Sequence, residues 1–109
     1  IEIWGDGSVT RDYLYIDDLT RAVNHLIEYQ GQESIFNIGS GVGLSLNDVI
    51  VFIESALGKK AICNYHASRS FDVPVNVLAI DRAKKELGWT PQETFASGLK
   101  KTIELREKN

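Results

Sequence analysis

A turn, a strand and the start of a helix lie within fourteen residues near the beginning of the chain, at positions 5–18. Gly5-Asp6-Gly7 is typical of a turn, because glycine adopts positive φ without steric cost and aspartate accepts hydrogen bonds from nearby backbone. The residues that follow predict a strand over positions 9–16, with side chains alternating between two faces. Asp17 or Asp18 can then cap a helix. This close succession indicates a fold that mixes short strands with helices.

The rest of the chain continues the mixture. The first helix has apolar residues at helical spacing from Leu19 to Ile27 and ends near position 31. Residues 34–38 predict a short strand that is buried on both faces. The further predictions are a helix from a Ser45/Asp48 capping box to Gly58, a strand at 61–65, a loop at 68–75, a helix from Asp81 to Leu87 that Gly88 stops, a buried Trp89 and a fourth helix from Thr94. The fold class is therefore α/β, with short strands and about four helices.

Composition limits the kinds of protein this can be. With 109 residues, 43% of them hydrophobic and 25% charged, the chain has the size of one globular domain. A net charge of −3 argues against a nucleic-acid binder or a membrane-surface binder, which would be strongly basic. No long apolar run or signal peptide is recognisable, so the cytoplasm is the expected compartment. The lone Cys63 predicts no internal disulfide, and no Cys/His spacing predicts a metal site.

The first residues suggest how the chain relates to a larger protein. Ile1-Glu2-Ile3-Trp4 reads as a strand that starts without methionine, and we therefore expect a fragment of something longer. A strand at 34–38 that had lost its neighbours would leave an unpaired edge. Such an edge leads us to expect that the piece dimerises or swaps elements with a second copy.

Arginine and acidic side chains are the main candidates for binding. Arg11 carries five N–H donors in a planar fork, which suits a phosphate or a carboxylate. The alternative is an ion pair with Asp12 or Asp72. Arg69 and Asp72 lie in the predicted loop beside Pro74, where they could bind a ligand or simply pair with each other.

Aromatic and histidine side chains give weaker signals. Tyr13 and Tyr15 share one strand face and could stack on a ligand ring or pack within the fold. His25 and His66 have no visible triad partner, which indicates surface histidines. The glycines at 39–43 resemble part of a dinucleotide-binding loop, but leucine stands where the third glycine belongs, which favours a plain tight turn.

Four motifs follow one another along the chain. They are Gly5-x-Gly7 with Arg11-Asp12-Tyr13 and Asp17-Asp18, then Phe36 to Gly41, then Arg69 to Asp72, and last Leu87-Gly88-Trp89-x-Pro91. In this order and spacing the chain resembles the C-terminal third of the extended short-chain dehydrogenase/reductase family, nearest to nucleotide-sugar epimerases of the UDP-glucose 4-epimerase type. The resemblance covers essentially the whole chain. It implies a Rossmann-type α/β enzyme in which residues 1–109 are the C-terminal nucleotide-sugar-binding domain.

The resemblance also implies roles for individual residues. Arg11 is expected to contact the pyrophosphate of a nucleotide sugar, most naturally a UDP-sugar, and Tyr13 to border the same site. Arg69 is expected to hold the pyrophosphate and Asp72 the ribose. The chain departs from the family at Phe71, where glycine is frequent, and this change could reshape the loop.

The family's chemistry lies in its N-terminal two thirds. The NAD-binding glycine loop and the catalytic Tyr-x-x-x-Lys pair are found there, so the resemblance implies no catalytic and no cofactor-binding residue within 1–109. The whole protein is then expected to be an NAD-dependent epimerase and a homodimer, and the isolated piece to be inactive. The alternatives are a nucleotide-sugar dehydratase or decarboxylase of the same family, a non-enzymatic nucleotide-sugar-binding module, or an interaction domain.

Overall fold

A computed structural model describes all 109 residues of the chain. In chain order its elements are β1 (Glu2–Trp4), β2 (Thr10–Asp12), α1 (Ile16–Glu28), β3 (Gly43–Ser45), α2 (Leu46–Leu57), β4 (Asn64–His66), β5 (Val75–Asn76), α3 (Asp81–Leu87) and α4 (Phe95–Glu107). The α/β class and the four helices are confirmed. No helix has both the length and the hydropathy that crossing a membrane requires.

The strands form two small sheets. β1 pairs in parallel with β4, and Ile3 lies opposite Tyr65. β2 is the central strand of the second sheet, with β3 antiparallel on one side and β5 parallel on the other. Arg11 therefore lies between Leu44 and Asn76. This arrangement brings the residues that follow the Gly5–Gly7 turn next to the segment that leads into β5.

Local signals at the helix ends are confirmed where the interacting groups are close in sequence. Ser45 and Asp48 form the predicted capping box, each side chain accepting a backbone N–H of the other residue. Gly58 ends α2 with φ of 62°, in the left-handed region that glycine adopts without strain. Thr94 caps α4 by accepting a hydrogen bond from the Ser97 N–H.

The predicted cap of α1 is wrong. The helix begins at Ile16, with Tyr15 at the cap position two to three residues before the predicted caps, and no side chain caps it. This start places Asp18 inside the first turn, where its carboxylate is 1% exposed. It accepts hydrogen bonds from Arg21 and from the backbone N–H groups of Gln92 and Glu93, at 3.0 and 2.9 Å. Asp18 therefore joins α1 to the segment before α4. Likewise Asp81 makes no side-chain cap for α3.

Strand predictions are less accurate. The strand predicted at 9–16 is only three residues long, and the one predicted at 61–65 is shifted to Asn64–His66. Residues 34–38 form no strand, and Ile35 is 72% exposed. Its carbonyl accepts a hydrogen bond from Arg82 Nη1 instead of from a neighbouring strand. A short apolar run becomes a strand only where a partner strand completes its hydrogen bonds.

The core is small and lies between α1 and α3. It consists of Ala22, Ile80, Ala83, Leu87 and Trp89. Trp89 is fully buried, as predicted, and its indole N–H donates to the backbone carbonyl of Asp18 at 3.0 Å. Of the apolar face predicted for α1, only Ala22 is buried, whereas Leu19, Val23, Leu26 and Ile27 are exposed.

Candidate functional site

A polar cavity of about 570 Å³ lies beside the first turn of the chain. Its walls come from the end of β1, the turn after it, the end of β4 and the loop that precedes β5. The lining residues are Trp4, Gly5, Asp6, Ser8, Val9, His66, Ser68, Arg69, Asp72 and Pro74. Two of the predicted site residues, Arg69 and Asp72, are thus brought together in one cavity.

The turn at one wall has the geometry that the sequence predicted. Gly5 and Gly7 have φ of 90° and 82°, and Asp6 accepts a hydrogen bond from the Ser8 N–H at 3.0 Å. Hydrogen bonds from Ser8 lower the pKa of Asp6. A side chain at Gly7 would collide with Asn47, because a Cβ would lie 2.1 Å from Asn47 Oδ1. Asn47 Nδ2 donates to the Asp6 carbonyl at 2.9 Å, which fixes the turn against α2.

Arg11 has no carboxylate partner. Its Nη1 donates to the carbonyls of Thr10 and Val73, at 2.8 and 2.7 Å. The alternative of an ion pair with Asp12 or Asp72 is therefore wrong. Nη1 carries two hydrogens, so these two bonds leave Nε–H and both Nη2–H groups without a partner in the chain. Arg11 does not line the cavity. Its bond to the Val73 carbonyl joins it to the loop that precedes β5 and contributes to the cavity wall.

Asp12 points away from Arg11, as neighbouring strand residues do. Its carboxylate accepts from the Ser40 N–H and Oγ, both at 2.7 Å, and from the N–H groups of Gly41 and Leu78, at 2.9 and 3.3 Å. Burial alone would raise the pKa of Asp12, but these hydrogen bonds outweigh burial and lower it. The amides of Ser40 and Gly41 are thus occupied by the Asp12 side chain, which argues against a phosphate loop at these glycines.

Arg69 and Asp72 make a two-bond ion pair. Arg69 Nε and Nη2 donate to the two carboxylate oxygens at 2.9 and 3.2 Å. This uses the side edge of the guanidinium and leaves its end edge, Nη1 with the second hydrogen of Nη2, free. The Arg69 side chain is 43% exposed and that of Asp72 is 19% exposed. The predicted local pair exists, and it still leaves three N–H donors for an anion.

Tyr13 lies apart from this cavity. Its ring packs edge-on against Phe95 with the centroids 5.5 Å apart, and strand β2 ends before it. It lines a more apolar groove that also includes Leu44, the cross-strand neighbour of Arg11. Arg11 is therefore joined through Val73 to the loop that forms one wall of the cavity. Tyr13 lines a separate groove.

Aromatic residues at the cavity were missed by sequence reasoning. The Arg69 guanidinium carbon lies 5.1 Å from the ring centroids of both Trp4 and Phe71. His66 also contacts the Trp4 ring, with centroids 5.1 Å apart. Trp4 and Arg69 are 65 positions apart. Only the β1–β4 pairing brings them together, so no local pattern signals the contact.

His66 is exposed, as expected of a surface histidine, but it has a partner that the sequence did not reveal. Its Nε2 pairs with a carboxylate oxygen of Glu2 on the neighbouring strand, and Asn64 donates to the other oxygen at 2.9 Å. These hydrogen bonds, that from His66 first, lower the pKa of Glu2. His25 meets only a backbone carbonyl, that of Leu87, at 2.8 Å. Neither histidine forms a triad.

Comparison with known proteins provides a second line of observation. The family described as GDP-mannose 4,6 dehydratase matches residues 1–102. The dTDP-4-dehydro-6-deoxyglucose reductase of Escherichia coli is 41% identical over 103 residues, which cover 94% of this chain and 33% of that protein.

Two solved structures share the fold. UDP-glucose 4-epimerase of Thermotoga maritima, determined with UDP-glucose, is 36% identical with a TM-score of 0.90, covering 99% of this chain and 35% of that one. UDP-glucose 4-epimerase of Bifidobacterium longum, in complex with NAD⁺ and UDP, is 26% identical with a TM-score of 0.88, covering 100% and 35%. The chain spans about a third of the length of the proteins it matches.

Proposed function

Since the chain belongs to the GDP-mannose 4,6-dehydratase family, within the extended short-chain dehydrogenases/reductases, we propose that it is the nucleotide-sugar-binding part of an NAD-dependent, UDP-glucose 4-epimerase-like enzyme. The observation that carries this proposal is the pair of unsatisfied guanidinium edges. Arg11 offers its side edge and Arg69 its end edge, and Val73 connects Arg11 to the loop of Arg69.

A diphosphate is the ligand that matches this pair. Each phosphate presents oxygens at the spacing of a planar fork, and two positive charges offset the charge of the diphosphate. The Asp72 carboxylate beside them can also accept from ribose hydroxyls, because each of its oxygens receives one hydrogen bond from Arg69 and has a second lone pair. A nucleoside diphosphate would therefore lie in the cavity with its phosphates toward Arg69 and Arg11.

Tyr13 is assigned to the sugar end of the same ligand. A nucleotide sugar that reached past Arg11 would come to the groove formed by Leu44 and Tyr13. The phenol ring offers an apolar face and a hydroxyl, a combination that suits a sugar ring.

The described residues do not fit a site for NAD. Two amides of the Gly39–Gly43 loop, those of Ser40 and Gly41, donate to Asp12, and no tyrosine of the chain is followed four positions later by lysine. We therefore place NAD and the acid/base tyrosine on a domain outside residues 1–109. The role of Arg11, Arg69 and Asp72 is then to hold the nucleotide so that the sugar meets that domain in a reactive orientation.

A titration of the ¹⁵N-labelled chain with UDP tests this assignment. We expect shift changes of backbone and arginine N–H resonances to concentrate in residues 4–11 and 66–74. UMP, with one phosphate fewer, should bind more weakly, because it cannot engage both arginines. Shift changes confined to α1 or α4, or none at millimolar UDP, would contradict the proposal.

A reductase acting on a dTDP-sugar is the second candidate. It is favoured by the 41% identity to the Escherichia coli enzyme of that name. The two candidates share the diphosphate site and differ in the nucleoside, since thymidine carries a 5-methyl group on its base and lacks the ribose 2′-hydroxyl. Comparing the affinities of the chain for UDP and for dTDP separates them, because a clear preference for dTDP would support the reductase.

A further inference from the structure

Phe71 is an unusual residue for the loop it occupies. Its side chain is 75% exposed, although burying an aromatic ring is strongly favourable. The Arg69 guanidinium carbon, 5.1 Å from the ring centroid, is the one cationic or aromatic contact that the ring makes. The ring is thus placed against a charge and not in the core.

Trp4 supplies a second ring to the same guanidinium, and we call Trp4 and Phe71 the aromatic clamp. Trp4 is held by the β1–β4 pairing and by contact with His66. Its ring centroid is also 5.1 Å from the guanidinium carbon, within the range of a cation–π contact. Phe71 supplies its ring from the loop before β5, with most of the ring in solvent.

The clamp and Asp72 together restrict Arg69 without using up its donors. The rings contact the guanidinium through its π system, and Asp72 takes Nε–H and one Nη2–H. An arginine side chain has many rotamers, and ordering it on ligand binding weakens affinity. A guanidinium that is already ordered, with its end edge free, avoids most of that loss.

We propose that Phe71 is a positioning residue that holds the Arg69 guanidinium in place for the diphosphate of the nucleotide sugar. This inference rests on the proposed function and deepens it.

The experiment compares Phe71→Ala, Phe71→Leu and Phe71→Tyr with the parent chain, using UDP, inorganic pyrophosphate and uridine as ligands. Loss of one cation–π contact should weaken UDP and pyrophosphate binding by about two- to fivefold in the alanine and leucine variants. Tyrosine should restore parent affinity, because it keeps the ring face. Uridine, which has no phosphate, should bind all four proteins alike. Ile62→Ala, which truncates an apolar side chain that is 83% exposed and lies outside the cavity, is the matched control and should bind as the parent does.

A double-mutant cycle shows whether Phe71 acts through Arg69. In an Arg69→Ala background, Phe71→Ala should change UDP affinity by less than about 1.5-fold, because the group that it positions is gone. If Phe71→Ala weakened uridine binding instead, the ring would be a base-stacking surface and the inference would be overturned. Parent-like pyrophosphate affinity in Phe71→Ala would also overturn it while leaving the proposed function intact. Failure of the parent itself to bind UDP would overturn the proposed function.

Discussion

The two arginines of the candidate site are held in different ways, and the difference decides what each can bind. Arg11 spends one nitrogen on two carbonyls and keeps its side edge. Arg69 spends its side edge on Asp72 and keeps its end edge. Two backbone carbonyls therefore fix Arg11 and leave its charge unpaired, whereas the Asp72 carboxylate fixes Arg69. The N–H donors that both arginines keep free are therefore available to an anion.

Removing either arginine should weaken UDP binding much more than it weakens the fold. Each lost charge-assisted contact should cost about 1.5–3 kcal/mol, or roughly ten- to a hundred-and-fifty-fold in affinity. Lysine at either position should restore only part of the lost UDP affinity, since a point charge does not reproduce the planar fork. Isothermal titration of Arg11→Ala, Arg69→Ala and the lysine variants with UDP measures this.

Arg106→Ala is the matched control, because that arginine lies on α4 away from the cavity. Thermal melts without ligand should show a larger decrease for Arg11→Ala than for Arg69→Ala, because Arg11 is half-buried on the central strand β2 whereas the bonds of Arg69 lie on an exposed loop. UDP affinity equal to that of the parent in both alanine variants would remove Arg11 and Arg69 from the site.

The residue-level predictions succeeded where the partners are near in sequence. Arg69 and Asp72 are three positions apart, and their pairing could be foreseen as one of two alternatives. The partners of Arg11 could not, because Val73 is 62 positions away and contributes a carbonyl that carries no sequence signature. The same holds for Asp12, whose acceptor role depends on the Ser40 turn and on β5 lying against the same strand.

At the level of elements, Asp18 determines how α1 is attached to the rest of the chain. Its carboxylate meets the N–H groups of Gln92 and Glu93, and its carbonyl accepts the Trp89 indole N–H. One residue of the first helical turn thus orients both the core tryptophan and the entry to α4. A cap prediction for this residue failed because an aspartate in front of a helix and one within its first turn look alike in sequence.

Asp18→Ala should lower the free energy of unfolding by about 2–4 kcal/mol, because two half-buried backbone N–H groups and Arg21 lose their acceptor. Asp17→Ala, its exposed neighbour in the same turn, is the control and should change stability by less than about 0.5 kcal/mol. Urea unfolding at pH 7 measures both. If Asp18→Ala lost no more stability than Asp17→Ala, the contacts of the Asp18 carboxylate would make no net contribution to the free energy of unfolding.

The same carboxylate makes stability depend on pH. Burial alone would raise the pKa of Asp18, but hydrogen bonds from Glu93, Arg21 and Gln92 lower it below the usual 3.8. A lowered pKa means that the stabilisation is complete above 3.8 and is lost as pH falls through the folded-state pKa. The stability difference between the parent and Asp18→Asn should therefore be constant from pH 7 to 5 and shrink below 3.8. A difference that stayed constant down to pH 3 would contradict this assignment.

The whole molecule exposes more surface than a chain of this size ordinarily does. Its radius of gyration is 16.5 Å, against about 13 Å for a compact domain of this length. Its surface is 7778 Å², against about 6,100 Å² for a compact monomer of 12.2 kDa. Exposed large apolar side chains are spread along the chain, and five of them form one stripe of α1: Ile16, Leu19, Val23, Leu26 and Ile27.

The α1 stripe is where the isolated chain should associate with itself. Self-association was expected from an open strand edge at residues 34–38, but no strand forms there, and α1 carries the exposed apolar side chains instead. An apolar stripe on a helix is buried most readily against an identical stripe of a second copy. Light scattering should therefore give a mass that rises above 12.2 kDa with concentration.

Charged substitutions on the stripe show whether it is the contact. Leu19→Lys with Val23→Lys should return the chain to a monomer at the same concentration, because burying two ammonium groups in an apolar interface is prohibitive. Ile62→Lys is the matched control: that side chain is 83% exposed but lies off α1, so association should persist. UDP affinity should be equal in the stripe variant and the parent, since the cavity contains no α1 residue. A parent that stays monomeric up to millimolar concentration, or a stripe variant that associates like the parent, would exclude α1 as a self-association surface.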